Sequence, residues 1–116
     1  MSAPAPVLPL SPFTVHDGLI FTSGQIHLSN GELVKGSTED KTHQVMKNLQ
    51  KVLESAGSSL SKVLKTTIYV TDMAIYADVN KVYATYFDSN FPAREVIGVR
   101  ALPLGAEIEI SMIASK

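Results

Sequence analysis

From Phe13 onward the apolar positions fall into runs whose period changes along the chain, and each change marks an element. Leu19 to Ile26 (L-I-F-T-S-G-Q-I) is a short apolar run behind the turn pair Asp17-Gly18, which predicts a hairpin with Phe13 to His16. Asn30-Gly31 marks the next turn. From Ser37 the beat becomes helical: Val45, Met46, Leu49, Val52, Leu53 and Ala56 line one stripe, Ser37 or Thr38 can cap its start, and Gly57 ends it. Val63 to Thr71 (V-L-K-T-T-I-Y-V-T) is rich in β-branched residues and reads as a strand. A second helix carries Ile75, Val79, Val82, Tyr83, Tyr86 and Phe87 on one stripe and stops before Pro92. Two strands follow, one on either side of the turn Leu102-Pro103-Leu104-Gly105. The order hairpin, α, β, α, β, β predicts a right-handed β-α-β crossover from Val63 to Ala101.

Alternation assigns faces to the last two strands. In the strand after Pro92, Ile97, Val99 and Ala101 share one side, so Arg94, Val96, Gly98 and Arg100 share the other. In the final strand Ala106, Ile108, Ile110 and Met112 are apolar, leaving Glu107, Glu109, Ser111 and Ile113 opposite. On this reading Arg94 and Glu109 both point away from the helices. Two helices cover one side of a sheet only. Val96, Gly98 and Ile113 interleave with the charges, and Val63 and Tyr69 share one face of the middle strand, so the second side is expected to be half apolar and to meet a symmetric copy of the chain.

Composition narrows the classes of function. At 116 residues, 45% hydrophobic and 18% charged, the chain is the size of a single domain, residues 1–116. A formal net charge of -1 supplies no basic field for a phosphate backbone, so nucleic acid is not an expected partner. Without cysteine there is no disulfide framework and no thiolate nucleophile. The start, M-S-A-P-A-P-V-L-P-L-S-P, reads as neither a signal peptide nor a membrane span, and the first arginine is Arg94, unlike an arginine-rich mitochondrial presequence; the expected compartment is the cytoplasm. His16, His27 and His43 have no metal-ligand spacing, so no metal is expected. By residue type alone, Arg94 and Glu109 fit an interfacial ion pair as well as a reaction site.

The stretch P-A-R, a hydrophobic strand, L-P and then E-I-E-I, its second glutamate fifteen positions after the arginine, resembles the signature of the RidA (YjgF/YER057c/UK114) family. The segments I-F-T-S-G-Q-I, K-T-T-I-Y-V-T-D and V-N-K-V-Y-A-T-Y-F are similar to family segments as well. The resemblance implies an α+β, chorismate-mutase-like fold: a mixed six-stranded sheet with two helices on one face, assembled as a homotrimer with small-molecule clefts between subunits. It also implies that the Val63 strand lies between the two C-terminal strands.

The family's characteristic activity is hydrolysis of reactive 2-imino acids, formed from enamines, to 2-oxo acids and ammonia, without a cofactor. The residues suit it. A guanidinium fork grips a planar carboxylate in two hydrogen bonds, the role the resemblance gives Arg94. A carboxylate near an apolar wall can activate water and move a proton to the departing nitrogen, the role it gives Glu109. Ser23, Asn80, Phe13 and the backbone around Val96 are the matching substrate-binding positions. Gly24 reads as a bulge or a point of close backbone approach, and Ser23 and Asn80 also fit ordinary strand and helix positions. Arg100 and Glu107 read as subunit salt bridges. Three departures bear on substrate range and rate: Phe13 stands where members acting on imines often have a tyrosine, and Glu95 and Val96 follow the arginine where small residues are usual. The alternative readings are a trimeric protein that binds or senses 2-oxo acids without turnover, and the RNA cleavage or translation inhibition linked to some members.

Overall fold

The computed structural model describes residues 8–116; the first seven residues of the Pro-rich start, and the part of the leader reading that rests on them, lie outside the described residues. The expected first hairpin forms from β1 (Phe13–His16) and β2 (Leu19–Thr22), with Asp17 and Gly18 both at positive φ in the turn. The apolar run predicted through Ile26 breaks at Ser23-Gly24, and its remainder is the short strand β3 (Gln25–Ile26). Asn30 and Gly31, also at positive φ, turn a second small hairpin, β4 (Leu28–Ser29) with β5 (Glu32–Leu33). Helix α1 (Thr38–Ser55) begins on a Ser37 side chain that accepts from the Asp40 N–H. It buries Thr42, Val45, Met46, Leu49 and Leu53.

Strand β6 (Val63–Val70), helix α2 (Tyr76–Ala84) and strand β7 (Ala93–Gly98) form the expected parallel β-α-β unit, and β8 (Ile108–Ser115) closes the chain. The sheet order is β1-β2-β8-β6-β7, with β3 also paired to β8, so β6 does separate the two C-terminal strands. This is the mixed six-stranded sheet with two helices on one face. Ile20, Ile68, Val70, Ile108, Ile110, Met112 and Ala114 from the sheet meet Val45, Met46, Leu49, Leu53, Val79 and Tyr83 from the helices in one core. Each fully buried aliphatic side chain there contributes about 1.5–3 kcal/mol.

Two face assignments are corrected. Arg94 and Val96 are in register with the fully buried Thr66 and Ile68 of β6, so they point toward the helices, while Ile97 on the opposite side is 39% exposed. The strand ends at Gly98, so Val99 and Ala101, which tipped the count toward the other parity, lie beyond it. On an edge strand both sides carry apolar residues, and alternation alone cannot choose between them. Val63 is likewise turned into the core by a bulge between Val63 and Lys65, which separates it from the face of Tyr69.

The open face of the sheet is therefore built from Phe21, Ile113 and Lys65, then Thr67 and Ser111, then Tyr69, Glu109 and Ile97. It is half apolar, with a different membership from the one alternation predicts. Glu95 also lies on this face and pairs with Lys65, Oε1 to Nζ 2.7 Å, so it does turn away from Arg94. Glu107 pairs within the chain with Lys41 Nζ at 3.0 Å.

Candidate functional site

The two principal candidates lie on opposite faces. Arg94 is on the helix side of β7, Glu109 is on the open side of β8, and β6 runs between them. Each sits in its own cavity.

The Arg94 cavity, about 300 Å³, is lined by Asn80, Tyr83, Ala84, Phe91, Pro92 and Arg94. The guanidinium lies 5.1 Å from the centre of the Tyr83 ring and 5.8 Å from that of Tyr76, and its Nη2 donates to the Tyr76 hydroxyl at 3.3 Å. Tyr83 in turn donates to Thr66 Oγ1 at 2.9 Å, and burial pushes its phenol above the usual range, so it remains a neutral donor. Among the described residues no carboxylate forms an ion pair with Arg94. The cationic fork is thus held by rings and a neutral hydroxyl, leaving it electrostatically free for an anion. Asn80 also lines this cavity, and its Oδ1 is buried with no hydrogen-bond partner among the described residues.

The Glu109 cavity, about 560 Å³, is lined by Ser23, Gly24, Gln25, Glu109 and an apolar rim of Leu8, Leu10, Ile26, Leu28, Pro103 and Leu104. The carboxylate lies directly over Gly24: a Cβ there would stand 2.5 Å from Oε2 and 2.7 Å from Cδ of Glu109. Gly24 is therefore a site of close approach, one of the two readings its sequence position leaves open. Burial among these apolar groups raises the Glu109 pKa above its ordinary value, which suits a carboxyl group that must both take and give a proton.

The Ser23 hydroxyl is engaged in building the wall. It donates to the Ser11 carbonyl at 2.5 Å while its N–H donates to the Pro12 carbonyl at 2.9 Å, fastening the segment that carries Leu8 and Leu10. From the other side Asn48 Nδ2 donates to the carbonyls of Ile26 and Leu28, tying that edge to α1.

Ser23 and Glu109 are brought together, and so are Asn80 and Arg94, but the two pairs are apart. Phe13 and Val96 pack against the hydrophobic core instead, which leaves Val96 only its backbone to offer a ligand. Sequence reasoning missed the Tyr76 and Tyr83 contacts because Tyr83 fits the core stripe and Tyr76 falls off it. It also missed His27, which is 2% exposed. His27 Nδ1 lies 2.9 Å from the Val34 carbonyl and Nε2 accepts from the Glu107 N–H at 3.1 Å. A carbonyl only accepts and an amide only donates, so the ring is neutral with its proton on Nδ1. Burial lowers its pKa.

Comparison with known proteins shows the family. Residues 1–116 match the family described as Endoribonuclease L-PSP. The chain is 43% identical to Protein HMF1 of Saccharomyces cerevisiae over 116 residues, covering 99% of this chain and 90% of that protein. It is 40% identical to the 2-iminobutanoate/2-iminopropanoate deaminase of Homo sapiens over 114 residues, 97% of this chain and 83% of that one. The crystal structure of E. coli TdcF with bound serine superposes with a TM-score of 0.89 at 29% identity, covering 98% of this chain and 93% of that one. The chain belongs to the Endoribonuclease L-PSP family, which is the RidA/YjgF family its motifs resemble. No helix among the described residues is long and apolar enough to cross a membrane.

Proposed function

We propose that the protein is a cofactor-free hydrolytic deaminase that converts 2-imino acids, and the enamines in equilibrium with them, to 2-oxo acids and ammonia. The reaction site forms where the Arg94 cavity of one subunit meets the Glu109 cavity of the next in a homotrimer. The observation that carries this reading is the division of the site: among the described residues, a guanidinium with no carboxylate partner beside an amide oxygen with no hydrogen bond on one face, and a desolvated carboxylate against an apolar wall on the other. Neither half holds both a grip for the substrate anion and a group to move its protons. The half-apolar open sheet face supplies a surface for the copy that would bring the halves together.

Arg94 takes the substrate carboxylate in two hydrogen bonds, orienting the C=N group. Asn80 Oδ1 can accept from the imine nitrogen. Glu109 removes a proton from water as its oxygen bonds to the imine carbon and the C=N electron pair moves to nitrogen. The same carboxyl group returns that proton to the nitrogen, giving a carbinolamine; it then takes the proton of the new hydroxyl and passes it to the nitrogen as the oxygen electron pair forms the carbonyl, the C–N bond breaks and ammonia leaves. Imines hydrolyse unaided, so positioning and one acid/base group are sufficient. The name of the human relative and the serine bound to TdcF support a small amino-acid-like ligand.

The family description raises a second reading, RNA cleavage. A net charge of -1 with Arg94 and Arg100 as the only arginines weighs against a nucleic-acid groove. The discriminating experiment generates an imino acid with an amino-acid oxidase and follows its decay with and without the protein. Faster decay with no RNA hydrolysis is expected; unaltered decay at micromolar protein overturns the deaminase.

A further inference from the structure

We infer that Tyr76 positions the Arg94 guanidinium for its anionic ligand, its hydroxyl fixing the rotation of the fork while the Tyr83 ring supports the charge from beneath. The inference rests on the reading of Arg94 as a carboxylate clamp and adds a residue to it.

An arginine on an edge strand carries a long side chain with about 2 kcal/mol of rotamer entropy, and freezing it only when ligand arrives weakens binding. A carboxylate partner would freeze it beforehand but would also compete with the ligand's carboxylate. Here the restraint is neutral. The two ring faces at 5.1 and 5.8 Å favour the cation's position without cancelling its charge. One N–H goes to Tyr76 Oη, and the fork keeps its other donors.

The two tyrosines divide the work. Tyr83 is buried in the core, hydrogen-bonded to Thr66 and packed against Phe87 with the ring centres 4.8 Å apart and the planes tilted by 47°, so it is structural as well. Tyr76 is 39% exposed and has Arg94 as its only side-chain hydrogen-bond partner among the described residues. Its place is set by the preceding 3₁₀ turn, where Asp72 accepts from the Ala74 N–H. A contact of this kind contributes little to folding, which makes Tyr76 separable from stability.

The test compares Tyr76→Phe, which keeps the ring and removes the acceptor, with Tyr76→Leu, which removes both. For Tyr76→Phe, Kd for 2-oxobutyrate by calorimetry and KM for the imine should rise together by about three- to tenfold, with kcat and Tm unchanged. Tyr76→Leu should lose more. Side-chain ¹⁵N relaxation of the Arg94 Nε–H in the free protein reads positioning without reference to activity: it should be ordered in wild type and loosened in Tyr76→Leu. An Arg94 side chain equally mobile in wild type and Tyr76→Leu overturns the inference, as does a Tm loss with unchanged Kd. Loosening in Tyr76→Leu together with no 2-oxo acid binding to wild type would keep the positioning role and remove the carboxylate clamp.

Discussion

Replacing Gly24 by alanine should disable Glu109 without touching it. The added Cβ would stand 2.7 Å from Glu109 Cδ and 3.0 Å from Cγ. Non-bonded carbons rest at about 3.5–4.0 Å, so the carboxyl carbon must retreat by about 0.8 Å or more. Gly24 does not have a positive φ, so the substitution adds no backbone strain, and the effect is confined to this contact. Overpacking of this kind costs about 1–3 kcal/mol where neighbours cannot yield, and the carboxylate, facing a cavity, can yield. Stability should therefore fall by about 1 kcal/mol or less. Misplacing an acid/base group by about 1 Å costs on the order of 10² in rate. The assay is kcat for imine hydrolysis beside Tm and 2-oxobutyrate affinity, with Glu109→Gln as reference. Turnover should fall nearly as far as in Glu109→Gln while ligand still binds. Wild-type turnover in Gly24→Ala would show that the Glu109 carboxylate is not required where the structure holds it.

Ile113→Asp puts a charge on the open face beside Phe21 and Lys65, where the folded monomer can solvate it; sedimentation should show wild type trimeric at micromolar concentration and the variant monomeric and inactive. A monomeric wild type with full turnover would contradict this. His27 has a folded-state pKa below its ordinary 6.5, so the unfolded chain takes up protons first as the pH falls, and the stability its neutral ring contributes is lost from about pH 6.5 downward. Urea midpoints should drop between pH 7.5 and 5.5, and the acid drop should shrink in His27→Ala, which also loses about 1–3 kcal/mol at pH 7.5 by orphaning the Val34 carbonyl and Glu107 N–H.

Helix α1 and the central strands were legible because their patterns have one solution, whereas α2 ends at Ala84, so Tyr86 and Phe87 of the expected stripe reach the core from beyond the helix. The stripe from Val45 to Leu53 buries only as a helix, and Ser37 and Gly57 bound it. Strand β8 alternates without a break, so Glu109 was placed on the correct face. Arg94 was not, because β7 is an edge strand whose facing is decided by its register with Thr66 and Ile68 rather than by its own alternation. The bulge at Val63 hid a second reversal for the same reason: one inserted residue exchanges the faces. Gly24 carried a signal, since glycine within a strand marks a close approach, but what approaches is Glu109, more than eighty residues away along the chain. His27 carried none, its partners being a carbonyl and an amide that no side-chain motif announces.

The proposal that one subunit's Arg94 works with another's Glu109 is tested most directly by mixing two inactive variants. Arg94→Ala and Glu109→Gln, each purified and each expected to lose about 10² or more in turnover, are unfolded together in equal amounts and refolded. If the site is shared across a junction, a random trimer places an intact Arg94 against an intact Glu109 at about one junction in four, so the mixture should recover about a quarter of wild-type activity. Recovery should be absent when the variants are refolded separately and then combined without exchange. A mixture that refolds to trimers and stays as inactive as its components would mean that both groups act within one chain, or that they do not act together, and would contradict the account.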